Sequence, residues 1–367
     1  MNAVSCFLFF LNSQVFTYNQ SFTLEYGITL PSFHLAYTTY GELNSTLDNV
    51  VWVFHALTAN SDAAEWWPGL VGDGKLFDPA SYFIVCVNMP GSCYGSIGPL
   101  EVNSTTGKPW YHDFPFFTTR DMVRAYQHLK EALGINRIHI GIGGSMGGQQ
   151  LLEWAVLEPE LFNYIFPLAT NAFHSPWGVA FNTAQRMAIE ADATWKEKNA
   201  AAGLDGMKAA RSTALLSYRH YDAYLSSQPR DPLFPFAHGW DGASSYQRYQ
   251  GEKLARRFNA FSYYVLSQSM DAHDISRNRG DVADVLNTIT ANTLVISIES
   301  DILFPVKEQE FLATHIKGAE HTSIESPYGH DGFLLEFEQI EKAIKYFFHK
   351  QKNKSVFLSR LNESNSS

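Results

Sequence analysis

The sequence predicts an α/β protein with a mostly parallel central sheet and one large helical insertion. Short apolar runs alternate with helical or loop segments through the first half of the chain, and they resume at Thr293. Between residues 170 and 291 no convincing strand is present. Alternation of strand and helix gives a parallel sheet covered on both faces, so the two strand-rich parts are expected to build one core.

The core elements follow in order along the chain. Before the insertion, strands are expected at residues 33–37, 50–54, 82–87, 138–142 and 164–168, and helices at 121–133 and 149–157. After it, strands are expected at 293–298 and 321–324, and a final helix at 333–348. The core is therefore assigned to residues 21–169 and 292–349.

The insertion at residues 170–291 is expected to be a helical lid over one edge of the sheet. Helical patterns cover residues 178–191, 206–225, 242–256 and 258–272, and the longest break contains Pro229, Pro232, Pro235 and Gly239. Residues 1–20 are expected to be a variable extension. Its apolar stretch at 3–11 is short and has no preceding basic residue, which favours an extension over a secretory signal. The polar residues 350–367 are expected to form a disordered tail.

Composition restricts the class of partner. The 27 basic and 37 acidic residues give a net charge of −10, which argues against nucleic acid or an anionic membrane as a partner. No run reaches the roughly 18 apolar residues of a membrane span. The three cysteines have no metal-binding spacing and are odd in number, so no metal site is expected and a reducing cytoplasm is favoured.

The most informative motif is Gly143-Gly144-Ser145-Met146-Gly147-Gly148, which lies between an expected strand and an expected helix. In that context G-x-S-x-G is the nucleophile elbow of the α/β-hydrolase fold. Ser145 would be exposed above the sheet, and the backbone N–H of Met146 would point at a developing oxyanion. The alternative is a glycine-rich turn with a solvent-facing serine.

The other two members of a catalytic triad are expected after the serine, with the acid first. Asp301 follows the strand at 293–298, and His330 lies in the loop after the last strand. Such loops collect at the carboxyl edge of a parallel sheet, where His330 would act as base and Asp301 would orient it. Glu299 is the alternative acid. The loop after the strand at 50–54 is expected to supply a second oxyanion donor, the N–H of Leu57.

A longer series of motifs resembles the homoserine O-acetyltransferases of the α/β-hydrolase fold, over about residues 22–348. The motifs are Ala36-Tyr37-Thr38-Thr39-Tyr40-Gly41-Glu42, His55-Ala56-Leu57-Thr58, Asn88-Met89-Pro90-Gly91-Ser92, Thr119-Arg120-Asp121-Met122-Val123, Gly143 to Gly148, Leu152-Glu153-Trp154, Arg257-Phe258-Asn259 and Tyr328-Gly329-His330-Asp331-Gly332. The resemblance implies a ping-pong acetyl transfer through Ser145, from acetyl-CoA as co-substrate to the γ-hydroxyl of L-homoserine, in methionine biosynthesis. No bound cofactor is implied.

The resemblance also implies roles for three further residues. Arg211 matches the lid arginine that binds the amino-acid carboxylate, Asp331 matches the residue that receives the amino group, and Tyr218 is expected at the same substrate site. The structural alternatives are an ion pair of Arg211 with a lid carboxylate and a helix cap by Asp331. The relatives further imply a homodimer formed through the lid.

Several functions stay open at this stage. A succinyl-CoA donor, a serine acceptor, or hydrolysis by a serine esterase would use the same triad. A binding module without catalysis is a further class, but it would be expected to have lost one member of Ser145, Asp301 and His330.

Overall fold

The computed structural model describes residues 13–228 and 242–364, with side chains described as far as residue 354. The apolar stretch at residues 3–11 and the break marked by Pro229, Pro232, Pro235 and Gly239 lie outside the described residues.

The described residues form twelve strands and eleven α-helices. The strands are β1 Ser13–Tyr18, β2 Phe22–Thr23, β3 Thr29–Leu30, β4 Phe33–Tyr40, β5 Val50–Phe54, β6 Phe83–Val87, β7 Val102–Asn103, β8 Lys108–Pro109, β9 Ile138–Gly144, β10 Phe162–Leu168, β11 Asn292–Ile298 and β12 Glu320–Ile324. The helices are α1 Ala63–Trp66, α2 Thr119–Ala132, α3 Met146–Leu157, α4 Pro176–Glu190, α5 Leu204–Tyr218, α6 Tyr221–Ser227, α7 Gly242–Ala255, α8 Ala260–Asp271, α9 Val282–Leu286, α10 Val306–His315 and α11 Phe337–Ser364.

Eight strands form the central sheet, in the order β1-β4-β6-β5-β9-β10-β11-β12. The pairs from β6 to β12 are parallel, whereas β4 pairs antiparallel with both β1 and β6. The predicted α/β fold with a mostly parallel sheet is therefore confirmed. The antiparallel strand β1 was not predicted, and it lies within the segment assigned to a variable extension.

The sheet is buried on both faces, as its apolar strands require. Along β5, Trp52 packs with helices α2 and α3 on one face, whereas Val51 and Val53 pack with α1 and α11 on the other. Every residue of β5 is buried. Neighbouring strand residues thus contribute alternately to two hydrophobic layers, which fixes the register of the sheet and the positions of the loops at its ends.

Helices α4 to α9 lie between β10 and β11 in the chain, where the helical lid was expected. The helix predicted at 206–225 is divided, because Arg219 has an extended backbone between α5 and α6. The next helix begins with the His220 side chain accepting a hydrogen bond from the Asp222 N–H. Histidine is not a usual N-cap residue, so the sequence did not predict this break.

The end of the chain differs from the expected disordered tail. Helix α11 continues to Ser364, through most of the segment 350–367. Three lysines and two leucines in that segment have favourable helix propensities, which can extend a helix beyond its packed part. None of the helices in the described parts of the chain combines the length and the apolar character needed to cross a bilayer.

Candidate active site

Ser145 connects β9 to α3 through a backbone conformation that non-glycine residues rarely adopt, with φ 56° and ψ −128°. The surrounding glycines make this sharp turn possible. A Cβ atom on Gly147 would lie 2.2 Å from the carbonyl oxygen of Phe54, and one on Gly143 would lie 2.6 Å from the carbonyl carbon of Gly147. Any side chain at these positions would therefore force the elbow open.

Hydrogen bonds hold the strained residue in place. The N–H of Ser145 donates to the carbonyl of Leu168 in β10 at 3.0 Å. The carbonyl of Ser145 accepts from the Thr170 hydroxyl at 2.8 Å and from the N–H of Gln149 at 3.2 Å. Strain of this kind persists only where the surrounding structure fixes it, and it is concentrated at functional sites. The backbone of Ser145 is thus fixed from both sides, and the residue is buried, so the expectation of an exposed serine was wrong.

Asp301 and His330 are brought together by the ends of β11 and β12. The imidazole Nδ1 lies 2.7 Å from Asp301 Oδ2, and both residues are buried. The other carboxylate oxygen of Asp301 accepts from the N–H groups of Leu303 at 2.8 Å and Phe304 at 2.9 Å. Glu299, the alternative acid, is exposed. The geometry therefore pairs His330 with Asp301.

The elbow lies against the histidine through Phe333. A Cβ atom on Gly144 would lie 2.4 Å from the Phe333 ring, whose centroid is 5.3 Å from that of His330. The Ser145 hydroxyl makes no hydrogen bond with a described residue. Phe333 thus contacts both the elbow and the His330 ring, and hydrogen bonds between a nucleophile and its base are often long in free enzymes.

Two backbone N–H groups are available near Ser145. Met146 is the first residue of α3, so its N–H has no acceptor within the helix. The N–H of Leu57 makes no hydrogen bond with a described residue. The close contact of Gly147 with the Phe54 and His55 carbonyls places the loop of Leu57 against the start of α3. Both predicted oxyanion donors are therefore at the same end of the elbow.

Asp331 lies beside His330 in a 3₁₀ helix, Gly329–Leu334, and its side chain does not cap that helix. Its carboxylate oxygen Oδ2 is 3.0 Å from Nε of Arg219. Burial raises the pKa of the Asp331 carboxyl, and the positive charges of Arg219 and Arg211 oppose that shift. Asp331 is thus a buried acid whose charge depends on nearby cations.

Arg211 lies in α5, with its guanidinium carbon 5.3 Å from the centroid of the Tyr218 ring. The Tyr218 ring in turn lies 5.8 Å from that of His330. Within the described part of the chain, Arg211 makes no ion pair or hydrogen bond, so the alternative of a lid carboxylate partner is not seen there. The predicted substrate residues Arg211, Tyr218 and Asp331 are therefore grouped beside His330.

Arg219 was not predicted as a site residue. Its backbone lies against Gly329, where a Cβ atom would be 3.0 Å from the Arg219 carbonyl carbon. The contact of Arg219 with Asp331 depends on the break between α5 and α6, which the helical pattern of the sequence hides. The sequence offered one indication of a role for Arg219, namely its position directly after the predicted substrate residue Tyr218.

Arg257 and His55 were also missed as functional residues. Arg257 Nη1 donates to the carbonyl of Thr58 and to the Tyr94 hydroxyl. His55 contacts the backbone of Ala56 and of Met89. Both stabilise the loop that contains Leu57. Both residues belong to motifs that carry the family resemblance, and this could have drawn attention to them. The sequence does not show which atoms they contact.

Metal chemistry has no candidate ligands in the part of the chain that the structure describes, because no group of three or more His, Cys, Asp or Glu side chains there could hold an ion. The arrangement instead brings together a strained serine, a histidine paired with a buried carboxylate, and two backbone N–H groups near the serine. That set is suited to acyl transfer through a covalent serine intermediate.

Comparison with known proteins agrees with this chemistry. The family model described as the alpha/beta hydrolase fold matches residues 49–337. A homoserine O-acetyltransferase of Cyclobacterium marinum is 45% identical over 343 residues, covering 92% of this chain and 95% of the relative. One of Chlorobium chlorochromatii is 42% identical over 342 residues, covering 91% and 95%.

Solved structures give the same picture. The homoserine O-acetyltransferase of Bacillus anthracis superposes with a TM-score of 0.84 at 26% identity, covering 91% of this chain and 96% of the other. The esterase E22 superposes with a TM-score of 0.82 at 22% identity, covering 91% and 99%, which is a likeness of fold.

Proposed function

We propose, because the chain belongs to the homoserine O-acetyltransferase family of the α/β-hydrolase fold, that it transfers an acetyl group from acetyl-CoA to the γ-hydroxyl of L-homoserine. The reaction would serve methionine biosynthesis. The observation that supports the mechanism is the buried Asp301–His330 pair, which Phe333 connects to the elbow of the strained Ser145.

In the first half-reaction, the Ser145 oxygen attacks the thioester carbonyl of acetyl-CoA while His330 accepts the hydroxyl proton. Asp301 stabilises the imidazolium, and the N–H groups of Leu57 and Met146 stabilise the oxyanion. The C–S bond then breaks, and the proton on His330 passes to the leaving thiolate of CoA. The products are acetyl-Ser145 and free CoA.

In the second half-reaction, His330 removes the proton from the homoserine hydroxyl, whose oxygen attacks acetyl-Ser145. The same N–H groups stabilise the second oxyanion. When the bond to Ser145 breaks, its oxygen recovers the proton from His330 and O-acetylhomoserine leaves. Because CoA departs before the acceptor reacts, steady-state kinetics should be ping-pong.

The acceptor is held by the charges next to His330. Arg211, which has no ion pair with a described residue, would bind the carboxylate through two parallel N–H bonds. Asp331 would receive the ammonium group and share its charge with Arg219. Tyr218 packs between Arg211 and His330 and would fix the direction of approach. Such positioning favours an amino-acid hydroxyl over water.

Location, cofactor use and assembly are part of the same proposal. The reaction needs no bound cofactor, and a cytoplasmic enzyme fits Cys86 and Cys93, which form no disulfide within the described residues. Exposed apolar residues on the lid helices support a homodimer formed through the lid. They are Leu216, Tyr221, Leu225 and Tyr249.

A panel of donors and acceptors tests the proposal. Acetyl-CoA and succinyl-CoA are each mixed with L-homoserine, L-serine or buffer alone, and the release of CoA thiol is measured. We expect rapid turnover only with acetyl-CoA and homoserine together. Turnover with succinyl-CoA or serine would assign a different transferase, and turnover without acceptor would indicate a thioesterase or esterase.

A further inference from the structure

The peptide unit between Ala56 and Leu57 has an unusual set of contacts. The carbonyl oxygen of Ala56 accepts two hydrogen bonds, one from the N–H of Ala59 at 3.0 Å and one at His55 Nδ1 at 2.9 Å. In a trans peptide the carbonyl and the N–H point in opposite directions. Fixing the Ala56 carbonyl therefore also fixes the direction of the Leu57 N–H.

The second ring nitrogen of His55 determines where its proton resides. Nε2 accepts a hydrogen bond from the N–H of Met89 at 3.1 Å, which requires an unprotonated Nε2. The proton of the neutral ring is then on Nδ1, where it donates to the Ala56 carbonyl. One tautomer satisfies both contacts, since the doubly protonated ring would lose the contact with Met89.

The surroundings keep His55 in that form. The ring is fully buried, and burial lowers the pKa of His55 to about 4. The His55 carbonyl lies against Gly147 in the elbow helix, and Gln150 on the same helix donates to the carbonyl of Met146 at 3.0 Å. The segments that carry the two N–H groups proposed to form the oxyanion hole are thus packed against each other.

We propose that His55 is a positioning residue for the oxyanion hole. Its hydrogen bond to the Ala56 carbonyl would fix the direction of the Leu57 N–H. The inference rests on the proposed function, in which Leu57 is an oxyanion donor. A hydrogen bond to the carbonyl also polarises the peptide and strengthens its N–H as a donor. His55 reaches the reaction only through the backbone, because both ring nitrogens are already bonded to protein atoms.

Two substitutions separate this role from general support of the loop. In His55→Asn, the amide nitrogen can occupy about the position of Nδ1 and keep the bond to Ala56. In His55→Gln, the amide can occupy about the position of Nε2, which keeps the contact with Met89 and loses the bond to Ala56. Both variants remove the ring, so a merely structural role predicts similar losses in both.

The test is the rate constant of Ser145 acetylation under single-turnover conditions, with acetyl-CoA and separately with p-nitrophenyl acetate, beside the Tm of each variant. We expect acetylation of His55→Gln to fall about 100-fold, the scale for loss of one oxyanion donor, with unchanged donor affinity. His55→Asn should react at least ~10-fold faster than His55→Gln. Equal rates, or rates that follow Tm, would overturn the proposal.

A wrong assignment of acetyl-CoA as the acetyl donor would give a different result in these experiments. Wild-type protein that is acetylated by p-nitrophenyl acetate and not by acetyl-CoA would refute the proposed function, while the His55 comparison would still be measurable. If either variant does not fold, neutron diffraction on the wild-type protein decides. A deuteron on Nδ1 of His55 supports the proposal, and a deuteron on Nε2 overturns it.

Discussion

The catalytic edge of the sheet and the lid above it differ in how fully their polar groups are paired. At the sheet, Asp301 has its carboxylate oxygens bonded to His330 and to two backbone N–H groups, and Ser145 is fixed by bonds on both sides of its backbone. In the lid, Arg211 has no ion pair with a described residue. Under the proposed function, the triad is therefore assembled before substrate binds, whereas Arg211 has no ion-pair partner among the described residues until the acceptor binds.

The lid is nevertheless not loosely attached where it returns to the sheet. The buried carboxylate of Glu153, on the elbow helix α3, is bonded to Arg120 at 2.7 Å and to Arg279 at 2.6 Å. Glu25 is bonded in the same way to Arg120 and Arg277. Breaking one member of such a buried network leaves uncompensated charge, so this end of the lid is expected to stay fixed during turnover.

Removal of the proposed nucleophile should have the largest effect on turnover. Ser145→Ala should lower turnover on the order of 10⁴-fold or more, because the remaining groups cannot form the acyl-enzyme. Stopped-flow measurement of CoA release checks it. Normal release of CoA by the variant would mean that another group is the nucleophile. The proposed assembly of the triad at the sheet would then be wrong.

Loss of the orienting acid should be nearly as severe. Asp301→Asn should lower turnover by roughly 10³- to 10⁴-fold, because the neutral amide favours the wrong tautomer of His330. The matched control is Glu299→Gln, which changes the exposed alternative acid and should leave kcat within about twofold, since exposed side chains without special contacts usually contribute little. Reversed effects in the two variants would assign the acid to residue 299.

The lid should respond differently from the sheet. Arg211→Met should raise the KM for homoserine by about 10- to 100-fold, the scale of a lost charge-assisted bond, and leave the first half-reaction unchanged. Lys208→Met, on the same helix but engaged with Asp205 and Glu252 at the surface, is the control. Separate rates for the two half-reactions check it, and an equal loss in both would contradict the assigned role.

Arg257 belongs to the lid segment, but its substitution should affect acetylation of Ser145 rather than binding of the acceptor. Arg257 donates to the Thr58 carbonyl in the loop of Leu57, so Arg257→Met should slow acetylation by about 10-fold through a less rigid oxyanion donor. Arg257→Lys retains a donor and should recover part of the rate. A change confined to the KM for homoserine would instead place Arg257 with the acceptor residues.

Stability at the junction of the two regions should depend on pH. Burial lowers the pKa of His55 to about 4, of His174 to about 4 and of His273 to about 3. Below pH 6.5 these histidines bind protons in the unfolded chain but stay neutral in the folded protein. The free energy of unfolding should therefore decrease as pH falls towards 4. Each contributes up to about 1.4 kcal/mol per unit of pKa depression.

Urea unfolding at pH 7 and pH 5 measures this dependence. The urea midpoint should be lower at pH 5, and His273→Gln should reduce the difference, because its side chain no longer titrates. His273 is the suitable site, since it contacts Thr119 and the Asn171 carbonyl and lies outside the proposed chemistry. A midpoint that is unchanged or higher at pH 5 would contradict the predicted sign.

The sequence predicted the sheet side of the site more completely than the lid side, for a physical reason. The glycines around Ser145 and the loops of Asp301 and His330 are defined by strands whose apolar pattern is local. The choice of Asp301 over Glu299 needed only the end of a strand. Those features follow from short-range sequence.

The lid side depends on contacts between distant segments. The break at Arg219 is set by packing against Gly329, and neither the helical pattern nor a usual N-cap residue marks it. Arg257 in the lid bonds to a backbone carbonyl, and His55 on the sheet side bonds to two backbone groups, which any sequence presents equally. Tertiary packing therefore decided the details that periodicity could not.

The most direct test of the central claim is the mass of the Ser145 peptide after brief mixing with acetyl-CoA in the absence of acceptor. We expect one acetyl group on Ser145, which persists in buffer, is removed on addition of L-homoserine and appears as O-acetylhomoserine. Absence of the adduct, or its removal at the same rate in buffer alone, would contradict a transferase that works through this serine.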